Sequence, residues 1–330
     1  MSGSFHAGSP PRVICIFGPT ATGKTDILLR TLSGRGEVIS ADSMQVYRHL
    51  DVGTAKPSPP ERKTLPHHLI DIKNPDEQYH AGEFVTAAER LIPEITARGM
   101  LPVIAGGTAF YFRNFIFGLP GTPQGSQQLR DALRARLEEE GADALYAELS
   151  RVDPNTAARI SPHDTYRILR ALEVFEVSGR PLSSYAVPDS PRADFEIVLV
   201  GLWRDRRALA RRIDERVDRM MAAGLPEEVE RVCRMGYGAE DPGLRGIGYR
   251  EFFRLEPDAG CSFSSLSPER RAAIAEEIKR SSRRYAKRQM TFFRRLPGVR
   301  WVDVTDEPAA RGELETEIEA AARSDERTTE

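Results

Sequence analysis

Nothing in this 330-residue chain approaches the roughly 20 consecutive apolar residues that a membrane-spanning helix requires, which excludes an integral membrane protein of that kind. The stretch from Met1 to Arg12 lacks the apolar centre of a signal peptide, and residues 1–11 are expected to form a flexible tail. Cysteine is scarce. Cys15, Cys233 and Cys261 form no CxxC pair, which excludes a thiolate zinc finger and a disulfide scaffold and favours a reducing, cytoplasmic setting. Aromatic residues are few at 8%, yet hydrophobic residues reach 40% and charged residues 29%, a globular balance with material for a large core.

Net charge is almost absent as well, at −2, but two blocks of opposite sign hide behind it. Asp306 to Glu330 holds nine acidic and three basic residues, a balance of −6, so the rest of the chain carries +4. Lys279 to Arg295 holds eight Lys or Arg and no Asp or Glu.

Val13 to Phe17 is a short apolar, partly β-branched run ending at a glycine, the pattern of a strand buried on both faces of a parallel sheet. Val38 to Ser40, Leu101 to Ala105, Phe195 to Leu202 and Val299 to Val304 are further strand candidates. Helical patterns fall between them, at Asp26 to Ser33, Ala81 to Arg98, Arg206 to Ala223, Pro226 to Met235 and Pro268 to Arg294. The alternation predicts an α/β fold: an open, mostly parallel P-loop-type sheet flanked by helices. A Pro/Gly-rich linker at Gly118 to Gly125 introduces helices only, so residues 121–192 read as a helical insertion within the core. The core then spans 12–120 and 193–305, followed by an acidic tail at 306–330.

The segment Gly18-Pro19-Thr20-Ala21-Thr22-Gly23-Lys24-Thr25 matches G-x-x-x-x-G-K-[ST] between a strand and a helix. Its glycines let consecutive N–H groups and a helix N-terminus face phosphate oxygens, while Lys24 adds charge and the Thr25 hydroxyl suits Mg²⁺. By motif alone the ligand is a polyphosphate such as ATP. A phosphate-transferring NTPase also needs a strand ending in a metal-binding Asp. Only Asp42 and Asp71 are candidates, and neither follows a full apolar run. Leu101 to Ala105 leads instead into Gly106-Gly107-Thr108, which offers a hydroxyl and leaves open whether phosphate is transferred or expelled. Asp42, just past a strand end, suits a general base, a metal ligand or a helix N-cap.

Adjacent His67 and His68 do not share a helix face and have no third ligand at metal-site spacing, so structural or phosphate-contacting roles fit them better. Along Lys279 to Arg295, two columns hold Lys279, Arg283, Lys287 and Arg280, Arg284, Arg288 at i, i+4. With no carboxylate interleaved, their repulsion calls for an external anion, and an RNA backbone suits it. Arg212 and Arg216, one helical turn apart, are placed to grip one anion. Cys15 belongs to a buried strand.

Taken together these residues resemble the tRNA dimethylallyltransferases, also called tRNA isopentenyltransferases. GPTATGKT (18–25), ISADSMQVYRHLDVGTAKP (39–57), PHHLIDIKNPDEQY (66–79), AGGTAFYF (105–112), RILRALEVFEVSGRPLS (167–183), RGIGYREFF (245–253) and AKRQMTFFRR (286–295) carry the likeness in order along the chain. The resemblance implies transfer of a dimethylallyl group from dimethylallyl diphosphate to N6 of adenosine 37 in tRNA, with diphosphate released. It implies Asp42 as general base, Thr108 on the departing diphosphate oxygen, the 18–25 loop with Mg²⁺ at Thr25 around the diphosphate, and His67 and one of Arg212 or Arg216 as further contacts. It implies tRNA contacts at Asp42, Ser43, Met44 and Gln45, at Thr108 and Arg130, and at Arg245-Gly246-Ile247-Gly248-Tyr249-Arg250. Two more such segments are Tyr166-Arg167-Ile168-Leu169-Arg170, where Tyr166 replaces the usual Gln, and Lys287-Arg288-Gln289-Met290-Thr291-Phe292-Phe293-Arg294. A monomer is expected.

Three other readings share parts of this pattern. A P-loop kinase or NTPase shares the loop but has no need of a long basic helix. An isopentenyltransferase acting on free adenylate is expected to lack the insertion and that helix. A non-catalytic tRNA-binding protein has no use for the phosphate loop, the GGT turn and Asp42 together.

Overall fold

The computed structural model describes residues 10–123, 125–185 and 188–323; most of the expected N-terminal tail therefore lies outside the described residues. Six strands form one parallel sheet: β1 (Arg12–Phe17), β2 (Gly36–Ala41), β3 (His67–His68), β4 (Leu101–Gly106), β5 (Glu196–Trp203) and β6 (Arg300–Asp303), in the order β3-β2-β4-β1-β5-β6. The helices along the chain are α1 (Lys24–Leu32), α2 (Pro59–Thr64), α3 (Ala81–Ala97), α4 (Ala109–Phe117), α5 (Gln127–Glu140), α6 (Ala142–Val152), α7 (Pro154–Ala157) and α8 (Thr165–Ser178). They continue as α9 (Arg206–Ala222), α10 (Leu225–Arg234), α11 (Arg250–Leu255), α12 (Pro268–Phe293) and α13 (Glu307–Arg323). None is long and apolar enough to cross a membrane.

The chain divides into two compact units, Met1–Ile116 with Arg192–Glu330, and Phe117–Pro191. The first holds the whole sheet. Cys15 and its neighbours Ile14, Ile16 and Phe17 are buried, as a continuous apolar run in a central parallel strand requires. The second is helical, with Leu133, Leu145, Leu149, Ile168 and Leu172 closing a small core of its own.

Register fixes what the sheet edge presents. Phe17 lies beside Gly106, and Ala41 lies beside the same Gly106. Neighbouring strands run about 4.8 Å apart, so Gly18, Gly107 and Asp42 leave the sheet side by side at the C-terminal edge. Close approach makes glycine necessary at position 106, where a Cβ would fall 2.2 Å from the Ala41 carbonyl oxygen.

Two expectations are corrected here. Beyond Asp306 the chain is not a simple acidic tail: Ala310, Leu314 and Ile318, spaced by four, form a buried stripe of α13 in the same core as Leu28 and Leu32. Burying each of the two larger side chains is worth about 2 kcal/mol, enough to dock the helix. Cys233 and Cys261 are joined by a disulfide with a Cα–Cα distance of 5.5 Å, tying the end of α10 to the loop before α12. Their 28-residue separation gave no local sign of it, and the inference of a reducing setting from cysteine usage loses its support.

Candidate active site

Gly23 stands at the N-cap of α1 with φ of 94°, a left-handed conformation that costs glycine little and other residues more. It turns the phosphate loop so that the first turn of α1 opens toward a cavity of about 940 Å³ at the sheet edge. Ala21, also at positive φ (63°), holds the loop in a less comfortable conformation. Lys24 folds back along the loop, donating to the carbonyls of Gly18 at 2.9 Å and Pro19 at 2.8 Å. Burial, reinforced by the Arg216 charge and opposed by Asp42, pushes the Lys24 ammonium down to about 7. Arg216 is held below its ordinary range by burial, with Asp42 again opposing. Two desolvated cations thus share a cavity in which Asp42 acts on both and Asp26 on Arg216, and an incoming anion would relieve both.

Asp42 Oδ1 accepts from the backbone N–H of Met44 at 2.8 Å and of Gln45 at 3.3 Å. The helix N-cap raised from sequence is corrected, since no helix follows Asp42: the carboxylate instead caps the turn at 43–46, which orients it while leaving Oδ2 outside the cap. Thr108 stands across from it. Its Oγ1 accepts from the Ser43 N–H at 2.9 Å, and its own N–H donates to the Ala41 carbonyl at 3.0 Å. The GGT turn and the Asp42 segment are thereby locked together.

The cavity also brings in Thr20, Thr25, Met44, His67, Arg212, Arg216, Arg245, Arg250 and Arg288, while the half-buried Thr108 follows Gly107 of its lining. Arg212 donates to the Ala21 carbonyl at 3.1 Å and Arg216 to the Thr54 carbonyl at 3.3 Å, so each braces a different loop of the rim. His67 reaches the cavity as expected of a diphosphate contact. Burial holds its imidazole below the usual range against the opposing Leu65 carbonyl, which Nδ1 meets at 2.7 Å. His68 is structural, 2.6 Å from Glu37, which Arg98 also holds. Asp71 is taken by Lys56 at 2.5 Å and Arg62 at 2.8 Å, which removes it as a metal-strand aspartate. Among the described residues no group of three or more His, Cys, Asp or Glu side chains converges as a metal site.

The basic helix needs the largest correction. Lys279 pairs with Asp218 at 2.8 Å and Glu276 at 2.9 Å, Arg280 with Glu277 at 2.5 Å, and Arg283 with Asp214. Half of the two columns is neutralised, largely by α9 packed alongside α12. Among the described residues, Arg284, Lys287 and Arg288 have no ion pair. In the segments expected to meet RNA, Ile168, Tyr249, Gln289 and Phe293 are buried, so as side chains they are not RNA contacts. Phe293 stacks on Phe17 with ring centroids 4.6 Å apart. Thr22 is likewise turned inward, its hydroxyl donating to the Pro19 carbonyl. In the helical unit Tyr166 and Arg167 are exposed, whereas Arg170 and Arg130 converge on the buried Glu173 at 2.8 and 3.6 Å.

Two residues escaped the motif reading. Tyr285 lies at the cavity, hydrogen-bonded to Thr108 and Gln289, and burial beside Asp42 raises its phenol to about 12. Glu228 is 1% exposed and accepts from the N–H groups of Asp51, Val52 and Gly53 and from the Tyr249 hydroxyl at 2.7 Å. Its place between Leu225 and Val232 on the apolar stripe of α10 was the available signal, since a carboxylate there must find buried donors.

Comparison with known proteins shows the family. The family model described as IPP transferase matches residues 45–296. A tRNA dimethylallyltransferase of Geobacillus kaustophilus is 42% identical over 316 residues, covering 94% of this chain and 95% of that protein. One from Alkaliphilus oremlandii is 40% identical over 299 residues, covering 89% and 92%. The crystal structure of the full-length tRNA isopentenylpyrophosphate transferase of Bacillus halodurans superimposes with a TM-score of 0.66 at 35% identity, covering 96% of this chain and 99% of that one. A eukaryotic dimethylallyltransferase described as acting on tRNA does so with a TM-score of 0.71 at 25% identity, covering 90% and 75%. On this match, together with the phosphate loop, the GGT turn and Asp42 at one sheet edge, the chain belongs to the IPP transferase family, the tRNA dimethylallyltransferases.

Proposed function

We propose that the chain transfers a dimethylallyl group from dimethylallyl diphosphate to N6 of adenosine 37 in tRNA. The observation that carries this reading is the union of Lys24, Arg216 and Asp42 in one cavity: a grip for an anion beside an oriented carboxylate. As the N6 lone pair bonds to C1 of the prenyl group, the C1–O bond breaks and diphosphate leaves with its electron pair. Asp42 Oδ2 takes the N6 proton; a positioned base of this kind contributes roughly 10²–10⁴-fold. Lys24, Arg216 and the loop N–H groups stabilise the charge growing on the leaving group, and Thr108 holds the turn that faces it.

The Thr25 hydroxyl at the cavity would hold Mg²⁺, an ion that seldom needs an all-protein cage. When bound, it supplies further neutralisation of the leaving group. On the RNA side, Lys287, Arg288 and Arg294 of the basic segment are exposed, and Tyr166 and Arg167 offer a ring and a guanidinium for an unstacked loop base. The helical insertion and the solvent-facing end of α12 favour tRNA over free adenylate as acceptor.

Incubating the chain with unmodified tRNA and either dimethylallyl diphosphate or ATP, then analysing the digested nucleosides by mass, tests the reading. A dimethylallyl mass increment on adenosine, only with the prenyl donor, supports it. An increment only with ATP, or none, overturns it.

A further inference from the structure

We propose that Gln289 is a positioning residue for diphosphate: a two-pronged clamp holding the phosphate loop against the Gly106-Gly107-Thr108 turn. The inference rests on the diphosphate reading above. Gln289 Oε1 accepts from the Thr20 N–H at 3.0 Å, and Nε2 donates to the Gly107 carbonyl at 2.7 Å. One carboxamide thus bridges the loops that leave β1 and β4. Parallel pairing fixes where those loops begin, at Phe17 and Gly106, but not the paths they take beyond the sheet. Gln289 sets the paths. Thr20 lies at the cavity, while Gly107 precedes the Thr108 that holds Ser43 and, through it, the Asp42 segment.

Two further observations point the same way. The Gln289 side chain is 4% exposed, so water does not readily replace either bond. Gly107 leaves room for it: a Cβ there would fall 2.5 Å from Gln289 Nε2. The residue types also narrow the choice. Glu would accept from Thr20 but offer the Gly107 carbonyl no proton, Asn is one methylene short, and Met fills the space with neither bond. On the same helix Lys287 and Arg288 face solvent, so the residue between the basic side chains and Met290 belongs to the cradle and not to the RNA surface.

The test compares wild type with Gln289→Met and with Gly107→Ala, which displaces the carboxamide from the opposite side. Calorimetry measures binding of dimethylallyl diphosphate, filter binding measures an unmodified tRNA anticodon stem-loop, and single-turnover assays measure transfer. Both variants are expected to weaken donor binding at least about tenfold and to slow transfer, with RNA affinity within about twofold of wild type, which also shows that they are folded. Should Gln289→Met fold poorly, losing RNA affinity and its thermal transition together, Gly107→Ala decides. Donor affinity unchanged in a folded variant overturns the clamp, as does lost RNA affinity with donor binding intact. A wild-type chain that binds no dimethylallyl diphosphate overturns the diphosphate reading, and the clamp with it.

Discussion

The phosphate loop and helix α12 are both rich in positive charge or its equivalent, but they manage it differently. Within eight residues the loop supplies its own turn, its own N–H groups and a lysine that folds back on two of its carbonyls. Helix α12 depends on a neighbour: Asp214 and Asp218 of α9 neutralise Arg283 and Lys279. A region that closes most of its interactions locally, with only Gln289 and Arg212 bonding to it from elsewhere, keeps the positive charge that its sequence suggests. One that closes them through another helix loses part of its apparent charge to the fold.

The largest effect that can break this contrast is at Asp42, whose carboxylate has a local capping role and, in the proposed reaction, a catalytic one. Asp42→Asn keeps an oxygen to cap Met44 and Gln45 but cannot accept a proton. Transfer is expected to fall roughly 10²–10⁴-fold in single-turnover assays, with tRNA affinity within about threefold. Activity within about tenfold of wild type would remove Asp42 as the base and leave it a cap.

Glu228 gives the next largest effect and is wholly remote in character, joining α10 to the 51–53 loop and to Tyr249. Glu228→Ala leaves three part-buried N–H groups and the buried Tyr249 hydroxyl without this acceptor and is expected to cost about 3 kcal/mol or more in urea unfolding. A loss below about 1 kcal/mol would mean that the loop finds other acceptors.

This contrast also explains what could be read from residues alone. The sheet strands other than β3, the phosphate loop, the GGT turn and Asp42 are local patterns, apolar runs that end at glycines or a carboxylate, whereas the two-residue β3 at His67–His68 has no apolar run to announce it. Helix α13 was obscured because its acidic residues outnumber the three buried apolar positions that dock it. Repulsion along α12 was judged from the helix alone, where Asp214 and Asp218 lie more than sixty residues away in sequence. The disulfide and Glu228 have the same cause: a partner brought near only by tertiary packing. Gln289 stands inside a basic run, and only its inward orientation separates it from its neighbours.

Charge reversal sharpens the division of α12. Lys287→Glu with Arg288→Glu is expected to weaken stem-loop binding by about thirtyfold at low salt and to flatten the dependence of log Kd on log salt by roughly one to two units. Lys279→Glu with Arg280→Glu removes charges already paired within the protein. It should leave that slope unchanged and cost instead a little stability, within about 1 kcal/mol for such exposed or partly exposed pairs. Equal slopes in the two double variants would place both halves of the helix against RNA.

The smallest effect concerns the charge that the loop keeps for its ligand. In the free protein the Lys24 ammonium titrates near 7 because burial and Arg216 disfavour its charge. A bound diphosphate favours that charge and raises the titration point, so binding takes up a proton wherever the free amine is already neutral. Affinity is therefore full below pH 7 and declines as pH rises through it, by roughly tenfold between about pH 6 and 8. The ligand's own ionisation runs the other way and is common to every variant. Lys24→Arg, charged throughout this range, isolates the lysine: its affinity profile should follow the ligand's ionisation alone, and the ratio of wild-type to variant Kd should rise across the interval. A constant ratio would show that Lys24 is already fully charged in the empty cavity, with the loop's carbonyls compensating its burial.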